Sequence, residues 1–241
     1  YCTLGKCSNI LVKDNGIRDL IIKTDKLNDI CLNEREIFEF GAGVSMAKAA
    51  NFAFENSFSG MEFAQGIPGS IGGAVYMNAG AYDGCMCDIV VATEYVDQNG
   101  LVHILEKEKH EFSYRHSFFS ENNFIITKTY VSLKNGQPSD ILNKMKDFKE
   151  RRKQKQPLEF PSAGSTFKRP KGYYAGQLIQ SSNLSGYKIG GAMVSKKHCG
   201  FIINFDNASA NDVIELIDYI KKSVYNKHGV NLECEVKIMG E

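Results

Sequence analysis

Gly66-Ile67-Pro68-Gly69-Ser70-Ile71-Gly72-Gly73-Ala74-Val75-Tyr76-Met77-Asn78-Ala79-Gly80-Ala81-Tyr82 concentrates glycine and small residues more densely than packing alone requires. Each glycine opens backbone conformations closed to other residues and lets main-chain N–H groups approach a ligand with no side chain in the way. Pro68 fixes its own φ and stiffens the turn between glycines. The stretch predicts a loop wrapped around a phosphate-bearing group, against the plainer reading of a tight turn packed on a helix.

Working outward, the chain of 241 residues is long enough for two modest lobes or one large core. Hydrophobic content of 43% and charged content of 24% are those of a soluble globular protein, and no apolar run approaches the length of a membrane span. A net charge of +1 supplies no field able to recruit nucleic acid or an anionic membrane, so an anionic ligand must be bound locally. The cysteines at 2, 7, 31, 85, 87, 199 and 234 lack the spacing of a zinc site or a disulfide framework. Free thiols, and no metal, are the expectation.

On the N-terminal side, Asn15-Gly16 between Ile10-Leu11-Val12 and Leu20-Ile21-Ile22 predicts a β-hairpin. Residues 36–40 alternate as a strand. Met46, Ala49, Ala50, Ala53 and Phe54 then mark one apolar helix face, with Ser45 as its N-cap. Residues 90–96 and 101–105 flank Asn99-Gly100 as a second hairpin, and 124–133 read as a following strand. A helix from about Ser139 turns Ile141, Leu142, Met145 and Phe148 inward and runs out in the charged segment 149–155, a lobe boundary.

Beyond it, Tyr174, Ala175, Leu178 and Ile179 suggest a helix, and 201–205 a strand. Val213, Ile217, Ile220 and Val224 form the stripe of a last helix ending before Gly229. Residues 230–239 alternate as a terminal strand, with Leu232, Cys234, Val236 and Ile238 on one face and Glu233, Glu235 and Lys237 on the other. The chain therefore reads as α+β.

Gly41-Ala42-Gly43 tempts a dinucleotide-fold reading, but its sixth position is Met46. No Gly-Lys-Ser/Thr completes a triphosphate loop, and the five histidines show no metalloprotease spacing.

What stands out is a set: Leu4-Gly5-Lys6-Cys7-Ser8-Asn9-Ile10-Leu11-Val12, Gly66-Ile67-Pro68-Gly69-Ser70, Met77-Asn78-Ala79-Gly80-Ala81-Tyr82, Tyr114-Arg115-His116-Ser117, Pro161-Ser162-Ala163-Gly164-Ser165-Thr166-Phe167, Lys197-His198-Cys199-Gly200-Phe201 and Leu232-Glu233-Cys234-Glu235-Val236. In this order it resembles the UDP-N-acetylenolpyruvoylglucosamine reductases, from the first residues to the last. The short interval between Arg115 and Ser165 is similar to the family's compact second type.

The resemblance implies a vanillyl-alcohol-oxidase-type FAD-binding domain over 1–135, its first segment expected to be missing, a connecting helix over 136–150, a smaller α+β substrate-binding domain over 151–228, and a strand over 229–241 returning toward the flavin. FAD contacts carried over are Gly5, Ser8, Asn9, Gly66, Ile67, Gly69, Ser70, Gly72, Gly73, Asn78 and Ala79. The activity implied is cytoplasmic: NADPH reduces FAD, and the flavin reduces the enolpyruvyl group of UDP-N-acetylglucosamine enolpyruvate for peptidoglycan synthesis. The carried-over catalytic residues are Arg115 to hold the substrate carboxylate, Ser165 to donate a proton, and Glu235, with Glu233 as its same-face competitor. All three are expected to converge opposite the flavin ring.

Two residues depart from the family pattern: Cys7 and Asp83 each stand where glycine is usual, predicting stiffer loops there. An alcohol oxidase of the same fold and a non-catalytic nucleotide-sugar-binding remnant are the competing readings. Basic residues Lys149, Arg151, Arg152, Lys153 and Lys155 read as solvated helix surface or as attraction for the substrate diphosphate.

Overall fold

The computed structural model describes residues 1–241, which divide into two units: residues 1–7 with 19–152, and residues 8–18 with 153–241. The first unit is built on a five-stranded antiparallel sheet in the order Val102–Glu106, Val90–Val96, Ile125–Ser132, Ile37–Gly41, Ile30–Leu32. Asn99-Gly100 makes the expected hairpin, with Gly100 at φ +81°. Helix α1 (Met46–Glu55) begins where Ser45 predicts, the serine Oγ accepting from Lys48 N–H at 3.2 Å. It buries Met46, Ala49, Ala50 and Ala53 against Phe38 and Phe40. Two short helices follow, α2 (Ile71–Tyr76) and α3 (Met86–Ile89).

Helix α4 (Pro138–Lys155) runs through the charged segment expected to end it. Its apolar stripe explains why: Ile141, Met145 and Arg152 are buried and Phe148 is half-buried, so the side facing the core continues to Arg152.

The second unit folds around a four-stranded antiparallel sheet in the order Ser162–Ser165, Phe201–Asn204, Ala192–Val194, Lys188–Ile189. Helices α5 (Ala175–Ser181) and α6 (Ala210–His228) supply Leu178, Ile179, Leu216, Ile217, Ile220 and Val224 to its core. Gly229 closes α6 at φ +66°, as its sequence position predicts, and Ser209 caps its start.

Three expectations are corrected. Asn15-Gly16 does not join a hairpin: Ile10–Val12 pairs in parallel with Lys237–Met239, whereas Ile21–Lys23 pairs in parallel with Cys2–Leu4. Distant partners outweigh the local turn signal, and the 8–18 segment is further tied to its unit by Asp14, whose carboxylate accepts from Ala210 and Asn211 N–H at the start of α6. The terminal strand is confined to Lys237–Met239. Leu232 and Val236 are buried as the alternation predicts, but Ile238 is 39% exposed, and residues 230–236 make a single isolated bridge, at Cys234, in place of a continuous strand. Lastly, Cys85 and Cys87 are disulfide-bonded and the other five cysteines are free; α3 starts between the pair and holds their Cα atoms 5.4 Å apart. No helix is long and apolar enough to cross a membrane.

Candidate active site

The glycine-rich stretch is docked by its own backbone. Ile71 and Gly72 N–H donate to Val44 O and Ala42 O at 2.8 and 2.9 Å, and Met46 N–H donates to Gly69 O at 3.0 Å. Gly41-Ala42-Gly43 thus serves as the cradle for a second loop. Ser70 caps α2, its Oγ accepting from Gly73 N–H. The loop containing Gly5 lies against it, since a Cβ on Gly5 would collide with Ser70 Oγ. Gly66 adopts φ +81°, and a Cβ there would stand 2.9 Å from Arg152 Cδ. Gly66 and Gly69 N–H donate to no backbone acceptor.

Two loops with close main-chain contact and undonated N–H groups fit a diphosphate-bearing cofactor such as FAD. Gly5, Gly66, Ile67, Gly69, Ser70, Gly72, Gly73, Asn78 and Ala79 all lie in the first unit, whereas Ser8 and Asn9 belong to the second. The departures Cys7 and Asp83 have φ of +56° and +65°, conformations that favour glycine.

Asn78 sits 7% exposed at φ +42°, with Nδ2 donating to Ser113 O at 2.9 Å and Oδ1 accepting from Cys87 N–H at 3.0 Å. Ser113 and His116 exchange backbone hydrogen bonds at 3.2 Å around the turn that carries Arg115, itself at φ +58° and half-buried. Ser117 Oγ donates to Tyr76 O at 2.8 Å. The Arg115 turn is therefore pinned at both ends to the end of the glycine-rich stretch. Its guanidinium lies 5.0 Å from the Tyr114 ring centroid. His116 pairs with Glu121 at 2.9 Å, which raises the imidazole pKa.

In the second unit Ser165 and Glu235 occupy neighbouring backbone segments. Phe167 and Cys234 form an antiparallel bridge, and Glu235 N–H donates to Thr166 O at 2.8 Å, next to Ser165. Thr166 is buried and its Oγ1 accepts from Ile202 N–H, locking this segment to the sheet. Asn9 Nδ2 donates to Glu235 O at 3.1 Å. Glu233, the competitor, is exposed and ion-paired with Lys168. His198 accepts from Gly200 N–H at 3.1 Å, and burial pushes its pKa down.

One residue of the charged segment is set apart from the others by its burial. Arg152 falls in the charge run whose readings are solvated helix surface or attraction for the substrate diphosphate, yet it is 7% exposed, with Nε and Nη2 buried without acceptors and Cζ 5.2 Å from the Tyr82 ring centroid. Ile141, Met145, Phe148 and Arg152 recur at helical spacing on one face of α4, which was the signal available.

Comparison with known proteins supplies the assignment. Residues 1–106 match the family described as FAD binding domain, and residues 156–239 match the UDP-N-acetylenolpyruvoylglucosamine reductase C-terminal domain. The chain is 48% identical over 241 residues to the UDP-N-acetylenolpyruvoylglucosamine reductase of Caldanaerobacter subterraneus, covering all of this chain and 80% of that protein.

The chain belongs to the UDP-N-acetylenolpyruvoylglucosamine reductase family. The Clostridium perfringens reductase is 47% identical over 240 residues, which is 79% of its length. The crystal structure of the Thermus caldophilus reductase superposes with a TM-score of 0.87 at 33% identity, over 99% of this chain and 85% of that one. The fold is thus the FAD-binding domain with the reductase C-terminal domain, and the protein is an FAD-dependent oxidoreductase.

Proposed function

We infer that Arg115, Ser165 and Glu235 carry the chemistry of this reductase. The protein reduces the enolpyruvyl group of UDP-N-acetylglucosamine enolpyruvate to the lactyl ether of UDP-N-acetylmuramate, a step of peptidoglycan precursor synthesis. Bound FAD supplies the redox chemistry between NADPH and the alkene. The observation carrying the residue assignment is the pair of anchored turns: Arg115 tied to the glycine-rich stretch through Ser113 and Ser117, and Ser165 beside Glu235 on bridged segments.

Arg115 offers a planar fork of donors that holds the substrate carboxylate, and its charge meets the negative charge that spreads into that carboxylate as the alkene is reduced. Ser165 Oγ–H delivers a proton to the carbon bearing the carboxylate; a hydroxyl is a weak acid, but that carbon is by then a strong base, so placement offsets the mismatch. Glu235 hydrogen-bonds the same region and shares in proton delivery, its carboxyl being easier to protonate beside an anion. Residues 1–135 form the FAD-binding domain and 151–228 the substrate-binding domain, joined by the helix, and the enzyme works in the cytoplasm.

The test is optical. Holoprotein should be yellow, bleach with NADPH, and regain colour anaerobically when UDP-N-acetylglucosamine enolpyruvate is added. Failure to regain colour, with recovery on admitting oxygen and formation of peroxide, would overturn the reductase reading.

A further inference from the structure

The short strands Gly80–Ala81 and Gly84–Cys85 pair antiparallel, and the chain that leaves them as Cys85-Met86-Cys87 is laid back along Asn78-Ala79-Gly80. Cys85 stands opposite Gly80, so closely that a Cβ on Gly80 would lie 2.8 Å from Cys85 Cβ. Met86 N–H donates to Ala79 O at 3.0 Å, and Cys87 N–H donates to Asn78 Oδ1 at 3.0 Å. The position of Cys87 therefore bears directly on Asn78, whose other end grips the Ser113 carbonyl.

The two sulfurs on this segment are joined, while the chain's other five cysteines are free. Both are half-buried, which leaves them open to a thiol from solvent. The separated state is provided for as well. Asp88 Oδ2 lies 3.0 Å from Cys85 Sγ and accepts from Cys85 N–H at 2.9 Å, so a Cys85 thiol has an acceptor as soon as the bond opens, and α3 keeps its cap. Disulfides of a reducing compartment are as a rule transient, and the enzyme is assigned above to the cytoplasm. Cys85, Cys87 and Asp88 also place their ligand atoms within 4.8 Å of one another, but metals take thiolates, and sulfurs bonded to each other are not thiolates.

We propose that Cys85 and Cys87 are a reversible redox modification site, and that its state sets how firmly Asn78 holds the turn carrying Arg115. The reaction is thiol–disulfide exchange with a dithiol. One reductant thiolate attacks one sulfur, the S–S bond breaks, and the other cysteine leaves as a thiolate that takes a proton. The reductant's second thiol then attacks its own sulfur in the mixed disulfide and releases the remaining cysteine, so two electrons pass to the pair and the reductant leaves as its disulfide. A disulfide oxidant reverses both steps. Bridged, the segment is fixed and Cys87 N–H stays on Asn78; opened, it gains freedom, and the Arg115 turn loosens with it. Only the consequence for turnover rests on the role given to Arg115 above.

The experiment takes the holoprotein through two cycles of dithiothreitol and oxidised glutathione, removing the reagent each time. Each state is blocked with iodoacetamide for peptide mass analysis, followed by amide hydrogen exchange, and assayed for turnover. The peptide holding residues 85 and 87 should gain two alkyl groups after dithiothreitol and none after oxidised glutathione, in both cycles. Exchange at residue 87 and over 113–117 should speed up about tenfold on reduction, the scale of a short cross-link. kcat should fall while flavin absorbance is retained. The double variant C85S/C87S should show the fast exchange under both conditions.

A pair that stays alkylatable in oxidised glutathione, that carries glutathione itself, or that never opens in dithiothreitol overturns the site. Equal redox responses in C85S/C87S and the unmodified protein would assign the effect to the other cysteines and overturn it too. One zinc bound per reduced chain on adding zinc sulfate, with reoxidation blocked, would make the cluster a metal site instead. Opening of the disulfide with no change over 113–117 sinks the coupling to Asn78. Faster exchange there with unchanged kcat would support the modification and its coupling, and count against the role of Arg115. If C85S/C87S does not fold, the alkylation and exchange of the unmodified protein decide.

Discussion

Asn78 reaches across to the Ser113 carbonyl at 2.9 Å, and through that one bond the end of the glycine-rich stretch holds the turn that presents Arg115. The amide is used twice, since its oxygen accepts from Cys87 N–H. Both partners are backbone groups, so the arrangement depends on Asn78 and on nothing else at those positions.

Asn78→Ala strands the Cys87 N–H and removes one of the two bonds to the Ser113 carbonyl, which keeps the bond from His116 N–H. Leaving one part-buried donor unpaired costs about 1 kcal/mol, so a loss of about that size is expected in urea unfolding. The turn carrying Arg115 also loses its tether, so kcat should fall in the folded variant while visible flavin absorbance is retained. A loss too small to measure, with normal turnover, would show that the tether is dispensable.

Cys7 and Asp83 occupy left-handed backbone at φ +56° and +65° and are exposed, with no packing role that glycine would remove. Replacing either with glycine relieves the Cβ crowding of that conformation, worth about 1 kcal/mol per residue. Cys7→Gly and Asp83→Gly should each raise Tm. The opposite change, Gly100→Ala at φ +81° in a hairpin with open space around it, should lower Tm. Equal Tm values across all three would mean the loops relax at no cost.

These strained positions bear on how much the sequence revealed. Local signals were sufficient wherever a residue's partners lie nearby in the chain: Ser45 begins α1, Asn99-Gly100 turns a hairpin, and Gly229 ends α6. They failed where the partner is far away. Asn15-Gly16 has the same turn chemistry as Asn99-Gly100, but the strand before it pairs with residues 237–239. The motifs single out Ser165 and Glu235 as candidates, while the bridge that brings their backbone segments together, from Phe167 to Cys234, has no local signature. Within the charged segment, what distinguishes Arg152 from its neighbours is its place on the buried stripe of α4 with Ile141 and Met145, which charge alone does not show.

His110 gives a pH test. It is fully buried, its Nδ1 facing Glu106 O at 3.0 Å and Lys107 O at 3.2 Å, so Nδ1–H donates and Nε2 accepts from Thr93 Oγ1–H at 2.8 Å. Burial pushes its pKa below the usual 6.5. The folded state therefore keeps His110 neutral where the unfolded state takes a proton, and stability is lost as pH falls below about 6.5 toward the lower folded value. The Tm advantage of the unmodified protein over His110→Asn should shrink between pH 7.5 and 5. A constant or growing advantage would mean that His110 is protonated in the fold.

The roles proposed for Ser165 and Glu235 separate in half-reactions. On that proposal Ser165→Ala removes the proton that completes reduction of the alkene but nothing that NADPH requires, so bleaching by NADPH should proceed at the normal rate. Recovery of colour on adding UDP-N-acetylglucosamine enolpyruvate should slow by about 10²–10⁴-fold, the usual worth of a positioned proton donor. Because Ser165 pairs with Phe201 through its backbone, which the change leaves in place, the variant should keep its Tm. Glu235→Gln keeps a hydrogen-bonding side chain and its backbone bond to Thr166, and loses only the exchangeable carboxyl proton, so it should slow the same half-reaction by less. Normal recovery in Ser165→Ala would remove the hydroxyl from the proton path and leave Glu235 as the donor.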